Sequence, residues 1–168
     1  GYIIGGTNLV KVDSLGVEEW SKPLASTFAN LTSDNGYILV NNYNDIVFTK
    51  VDASGNALWQ KTFSDGIWRN DGYHIEQIED GGYIVTGRIQ DVTGSGMLLL
   101  KLNANGGKVW RRSYSEPTSA GFNTGFSVQE TADSGFIMVG VSNINYYDST
   151  RHKDVFILKT DSFGIEQW

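Results

Sequence analysis

The sequence predicts an all-β protein built from repeated four-stranded antiparallel units. Two segments recur four times along the 168 residues, and neither shows helical periodicity. The first joins a glycine and an aromatic residue to a β-rich run, with copies that begin at Gly1, Gly36, Gly82 and Gly135. The second runs from a lysine to a tryptophan nine positions later, with copies that end at Trp20, Trp59, Trp110 and Trp168. Four copies of unchanged length identify a repeat protein.

Each unit contains four expected strands, a to d, in chain order. Apolar runs bounded by Gly, Asn, Asp and Ser are typical of β-strands. Strand b is the glycine–aromatic run, and strand d carries the tryptophan. The expected positions are 26–32, 72–79 and 126–131 for strand a, and 46–52, 97–103 and 155–161 for strand c.

Short polar links join strand a to strand b and strand c to strand d. In the second unit, Asp34-Asn35-Gly36 is the a–b link, and the c–d link runs from Asp52 to Gly55. An aspartate begins such turns through its side-chain acceptor, and we expect the glycine to supply the positive φ of a tight hairpin.

Four antiparallel strands in units of about 40–58 residues indicate a β-propeller, in which four-stranded blades surround a central channel. The units are 1–20, 21–59, 60–110 and 111–168, within a single domain. One tryptophan per unit then wedges between neighbouring blades, so Trp20, Trp59, Trp110 and Trp168 are expected to be structural. A β-solenoid is the alternative, although its repeats are normally much shorter.

The first unit begins at strand b and is therefore incomplete. The expected total is fifteen strands, one fewer than four closed four-stranded blades require. We therefore expect either a piece of a longer propeller or two copies that complete a ring.

Composition excludes several classes of protein. The chain has no cysteine, which excludes disulfides and thiolate-bound metals. Its formal net charge of −6 argues against nucleic acid or anionic lipid as a partner, and no apolar run reaches the roughly 18 residues of a membrane span. No phosphate-binding, dinucleotide-binding or G-x-S-x-G motif is present, so we expect neither a cofactor nor catalysis. The polar run 41–45 offers oxygen ligands for a cation.

The loops predict where a partner binds. From the glycine of strand b to the lysine of strand c the distances are 10, 14, 19 and 24 residues, whereas the c–d segment keeps one length. All variable loops then lie at one end of the units, where binding usually resides. The richest loops, 64–71 and 142–154, provide the candidate ligand-binding residues Trp68, Arg69, Tyr146, Tyr147, Arg151 and His152. Aromatic faces beside donors suit a sugar or a peptide. In the alternative interpretation, these aromatics only pack their own loops.

The repeat resembles a known family. Its best copy is carried by Asp133, Gly135, Phe136, Gly140, Asp154, Val155, Lys159, Asp161, Gly164 and Trp168. The pattern resembles tandem repeats of secreted and cell-surface proteins from bacteria and archaea, and the resemblance implies a multi-bladed propeller without an assigned activity. It is also similar in blade packing to the tryptophan-docking quinoprotein propellers. Because the Asp-to-Gly interval is one residue shorter here, that similarity implies no quinone.

The favoured prediction is a non-catalytic extracellular or cell-surface propeller that binds a glycan or a protein through its long-loop face. Self-association, or pairing with the remainder of a longer propeller, is a further expected interaction. One alternative is a polysaccharide lyase or glycosidase with a site in the central channel. Another is an assembly subunit of a surface layer or filament.

Overall fold

The computed structural model describes residues 1–43, 45–64, 69–91, 94–115, 123–143 and 153–168. These residues form fourteen antiparallel strands and no helix, so none of them belongs to a helix that could cross a membrane. The all-β prediction is confirmed. The strands are β1 (Tyr2–Ile4), β2 (Leu9–Val12), β3 (Glu18–Lys22), β4 (Phe28–Leu31), β5 (Tyr37–Tyr43), β6 (Asp45–Val51), β7 (Ala57–Phe63), β8 (Arg69–Gln77), β9 (Tyr83–Asp91), β10 (Gly94–Leu102), β11 (Lys108–Tyr114), β12 (Thr124–Glu130), β13 (Phe136–Asn143) and β14 (Lys153–Thr160).

The strands form four sheets, each a simple antiparallel meander that does not close on itself. Sheet one is β1–β3, sheet two β4–β7, sheet three β8–β11 and sheet four β12–β14. The predicted fifteenth strand, around Trp168, is wrong, because this segment forms an isolated bridge between Thr160 and Glu166 and not a strand. It still pairs with strand c through two backbone hydrogen bonds of 2.8 Å, from the Lys159 N–H to the Trp168 carbonyl and from the Gln167 N–H to the Lys159 carbonyl. In sheets two and three, strand d continues four residues past its tryptophan, and those extra pairs have no equivalent in sheet four.

The two hairpin links work differently. In the c–d turn of sheet two, Asp52 Oδ1 accepts hydrogen bonds from the backbone N–H groups of Ser54 and Asn56, and Gly55 has φ +77° as expected. In the a–b link, however, Asn35 rather than Gly36 has the positive φ, at 62°. The expectation that glycine supplies it there is wrong for sheets two and four, where Asn35 and Ser134 have the positive φ, and it holds in sheet three, at Gly81. Gly36 is required because a Cβ at that position would overlap the Val51 carbonyl oxygen.

Lysine ion pairs connect the two repeated segments. The ammonium group of Lys50 is 2.8 Å from Asp34 Oδ2 and also donates to the Val51 carbonyl at 3.1 Å. The same ion pair recurs between Lys101 and Asp80, at 2.8 Å, and between Lys159 and Asp133, at 2.9 Å. Each pair fixes the a–b hairpin against strand c. In sheet one, Lys11 pairs with Glu19 instead.

The hydrophobic core lies between the sheets. Strand side chains alternate between two faces, so each interior sheet packs against both of its neighbours. Three buried clusters result, and each joins sheets that are adjacent in the chain. In sheet two, for example, Leu39 packs toward sheet one while Ile38 and Phe48 pack toward sheet three.

A tryptophan joint recurs between successive sheets. Each of the first three repeat tryptophans is half-buried, and its ring meets the strand-b aromatic of the following sheet edge to face. The paired rings, with centroid separations of 5.9–6.1 Å, are Trp20–Tyr37, Trp59–Tyr83 and Trp110–Phe136. Such pairs contribute about 0.5–1.5 kcal/mol beyond the burial of their area. Trp168 differs, because 65% of its surface is exposed.

Candidate functional site

The variable connections lie at one end of the sheets. The antiparallel registers bring the b–c and d–a connections together there and put the short a–b and c–d turns at the opposite end. The strands that these connections join therefore end on the same side of each sheet, and this side is named the loop end, although most inserted residues lie outside the described residues. Of the predicted ligand-binding residues, Arg69 is described, as the first residue of β8. The others, Trp68, Tyr146, Tyr147, Arg151 and His152, lie outside the described residues.

A buried carboxylate sits beneath Arg69. The Asp71 side chain is 4% exposed, and its Oδ2 accepts hydrogen bonds from Arg69 Nε at 3.0 Å and from an Arg88 Nη at 2.7 Å. Arg69 is two positions from Asp71 on β8, and Arg88 is the residue paired with Asp71 on β9. Strand alternation and strand pairing therefore bring all three to one face. The Arg69 side chain remains 59% exposed, and its guanidinium has more donor N–H groups than the Nε–H that Asp71 accepts.

Two aromatic residues lie beside this ion-pair cluster. Tyr73 and Phe126 have ring centroids 5.8 Å apart, and each sits at a bulge in the strand-a register of its sheet. Burial, followed by the negative charge of Asp71, raises the pKa of Tyr73. The Phe126 ring is largely exposed. The pair therefore forms an apolar surface that is adjacent to charged donors and an acceptor.

Several buried polar side chains lie near the loop end, where sheets three and four meet. Ser95 Oγ, Ser142 Oγ and both side-chain polar atoms of Asn123 are buried with no hydrogen-bond partner among the described residues. The three residues are neighbours: the Asn123 N–H donates to the Ser95 carbonyl at 3.4 Å, and Ser142 follows Val141, which pairs with Thr124. A buried polar group left unpaired costs about 1–3 kcal/mol. These atoms would gain from any ligand or water that reached them.

Carboxylates also lie on strand a farther from the loop end. Glu76 Oε1 accepts the backbone N–H of Glu130 at 2.9 Å, and Glu130 Oε2 accepts that of Glu79 at 2.7 Å. Burial raises the pKa of Glu76, and the charge of Glu130 adds to this. Burial lowers the pKa of His74, whose ring packs against Phe28 with centroids 4.5 Å apart. These groups tie neighbouring sheets together along their strand-a edges.

One residue of the polar run 41–45, Asn42, joins two sheets. Asn42 clamps the backbone of Gly72, accepting its N–H at 2.8 Å and donating to its carbonyl at 3.1 Å, so its amide joins sheets two and three. Asn41 and Tyr43 line an open cleft of about 450 Å³ over the sheet-one side of sheet two. Within the described ranges, no group of three or more Asp, Glu or His is arranged to hold a metal ion.

Sequence reasoning missed Asp71, Arg88, Tyr73 and Phe126. One sequence signal could have identified the aromatic pair. In both units a glycine eight positions before the a–b aspartate is followed by an aromatic residue, as Gly72-Tyr73 before Asp80 and Gly125-Phe126 before Asp133. The Asp71–Arg88 pair leaves no comparable sequence signal, because it depends on the register of two strands.

No protein-family model and no curated protein matches the chain. Among solved structures, it is similar to a protein of unknown function from Bacteroides caccae. The two share 14% sequence identity over 99% of this chain and 76% of that protein, with a TM-score of 0.45.

Proposed function

We propose that the protein is a non-catalytic β-propeller module that binds a glycan or a protein through its loop end. The recurring tryptophan joint supports the propeller, since it stacks each sheet on the next in the same way. The repeat pattern, similar to those of secreted and cell-surface proteins, supports an extracellular or cell-surface location.

One observation carries the binding proposal: the Tyr73–Phe126 ring pair lies beside the Asp71 ion-pair cluster. Carbohydrate sites combine a flat aromatic face, on which the apolar face of a sugar ring lies, with fixed donors and acceptors for hydroxyl groups. Arg69 and Asp71 provide both at one place. A glycan is therefore the partner class that the described residues favour, with the loops carrying Trp68, Tyr146 and Tyr147 as the remaining predicted contacts.

The test is a glycan array together with capture of protein partners, followed by binding measurements on two variants. Phe126→Ala removes an exposed ring at the proposed site, and Phe163→Ala removes an exposed ring from a c–d turn at the opposite end. We expect the first variant to weaken binding at least roughly tenfold and the second to leave it unchanged. Binding that survives both Phe126→Ala and Tyr73→Ala would show that the site is elsewhere.

A second candidate function is a polysaccharide-active enzyme, and Glu76 is the observation that favours it. A carboxyl group whose pKa is raised by burial is the type of group that serves as a general acid in glycoside cleavage. The hydrogen bonds of Glu76 and Glu130 to the backbone of adjoining strands instead suit a structural role. Turnover on a panel of polysaccharides that disappears in Glu76→Gln, with folding retained, would support the enzyme.

A further inference from the structure

The tryptophan joint has a third member, the glycine of the c–d turn. In each of the second, third and fourth sheets this glycine lies under the tryptophan of the preceding sheet. A Cβ on Gly55 would be 2.9 Å from Trp20, one on Gly106 would be 2.7 Å from Trp59, and one on Gly164 would be 3.0 Å from Trp110. The joint therefore requires a tryptophan on the preceding sheet. On the following sheet it requires a turn glycine without a side chain and an aromatic residue on strand b.

The outer face of sheet four carries the tryptophan half of this joint, uncovered. Trp168 is 65% exposed and Val155 is 72% exposed, whereas Met97, which occupies the position of Val155 in sheet three, is fully buried. Ile137, Val139 and Ile157 line a groove of about 240 Å³ on the same face. The sheet-three equivalents of Ile137 and Ile157 are Ile84 and Leu99, and both are fully buried in the core between sheets three and four.

The outer face of sheet one carries the other half. Tyr2 is 65% exposed, although its equivalents Tyr37, Tyr83 and Phe136 are all buried beneath a tryptophan. A Cβ on Gly16, the turn glycine of this sheet, would meet no atom within 4 Å. Ile4 on the same strand is also exposed.

Going beyond the proposed function, we propose that these two faces bind each other between two copies of the chain. Trp168 of one copy lies over Gly16 and Tyr2 of the second, in the geometry of the three internal joints. A second copy is the occupant because it presents both missing halves at equivalent repeat positions. Such contact is head to tail, so repetition of the same joint gives either a closed ring or an open filament.

The test uses sedimentation velocity over a range of protein concentrations. Wild type is expected to associate reversibly. Trp168→Ala removes the tryptophan half, and Gly16→Ala puts a methyl group where the partner tryptophan must lie. Each variant is expected to weaken association roughly 30-fold or more, as loss of a central aromatic anchor does. Gly81→Ala is the matched control, because Gly81 also has a positive φ, +81°, and open space around it, but lies in an a–b turn.

Mixing the two defective variants tests the head-to-tail direction. The Gly16→Ala chain keeps an intact sheet-four face and the Trp168→Ala chain keeps an intact sheet-one face, so the mixture is expected to form a one-joint dimer. Unfolding midpoints close to that of Gly81→Ala confirm that the variants fold. A monomer at every concentration, association that Gly16→Ala leaves intact, or a mixture that fails to pair would each overturn the proposal.

Discussion

The tryptophan joints predict that turn glycines of similar backbone conformation differ sharply in their tolerance of alanine. Gly106 has φ +76°, and a Cβ there would lie 2.7 Å from Cζ3 and 2.8 Å from Cη2 of Trp59. Gly81, in the same sheet, has φ +81°, but a Cβ there would meet nothing within 4 Å. The Gly106→Ala and Gly81→Ala variants therefore share the backbone penalty and differ in the contact with the ring.

The magnitude follows from these two contributions. A left-handed conformation costs an L-residue about 1–2 kcal/mol, so Gly81→Ala should lower the free energy of unfolding by about that amount. Forcing an extra methyl group against a packed ring costs about 1–3 kcal/mol more. Gly106→Ala should therefore lose about 2–5 kcal/mol in total. For a chain of this size, each kcal/mol corresponds to about 2–4 °C in Tm.

Urea unfolding followed by both circular dichroism and tryptophan fluorescence measures this difference. The two probes should give coincident transitions with unchanged urea dependence, so that the midpoints report stability. The native emission should change for Gly106→Ala and not for Gly81→Ala, because only the first displaces an indole ring. Equal midpoints for the two variants would refute the assignment of the joint.

Three further predictions concern the buried contacts. Lys50→Met should lower the free energy of unfolding in urea by about 1–2 kcal/mol, because Asp34 and the Val51 carbonyl both lose a hydrogen-bond donor. The control Lys61→Met changes an exposed lysine and should lower it by less than about 0.5 kcal/mol. The Lys50 ion pair lowers the pKa of Asp34 below its unfolded value of 3.8, so its contribution is fully present above that pH and is lost as the pH falls. The difference in stability between wild type and Asp34→Asn should then be largest near neutral pH and shrink below about pH 4; a constant difference would contradict it. Tyr114→Phe removes the 2.6 Å hydrogen bond from the Tyr114 hydroxyl to the Gly164 carbonyl and should lower the free energy of unfolding by about 1 kcal/mol. Burial raises the pKa of Tyr114, so ultraviolet titration of the variant should show one late-titrating tyrosine fewer than wild type.

The fold class could be predicted because its determinants are local in sequence. Alternation sets the strands, and the aspartate and glycine of each c–d turn set the hairpins, as at Asp52 and Gly55. The a–b turn shows where this reasoning fails. The turn pattern predicts that its glycine supplies the positive φ, but Gly36 is instead required by the approach of the Val51 carbonyl, a strand-c atom that no local pattern reveals.

The candidate site was less predictable for the same reason. Arg69 is predictable because it stands directly beside aromatic Trp68 where a long connection meets strand β8. Its partners Asp71 and Arg88 come together only through the pairing of β8 with β9, and the Tyr73–Phe126 contact only through two bulges in separate sheets. Contacts that depend on strand register cannot be obtained from composition or spacing.

The conserved length of the c–d segment now has a physical explanation. From lysine to tryptophan, this segment holds the lysine of the hairpin ion pair, the turn glycine beneath the preceding tryptophan and the tryptophan that covers the following glycine. An insertion at any point would shift one of the three out of contact, and would break either the ion pair or a tryptophan joint. The b–c connection carries none of these contacts, so its length varies from unit to unit without disturbing the stack. The repeat thereby keeps the joint contacts in a segment of constant length and confines the variation in length to the loop end.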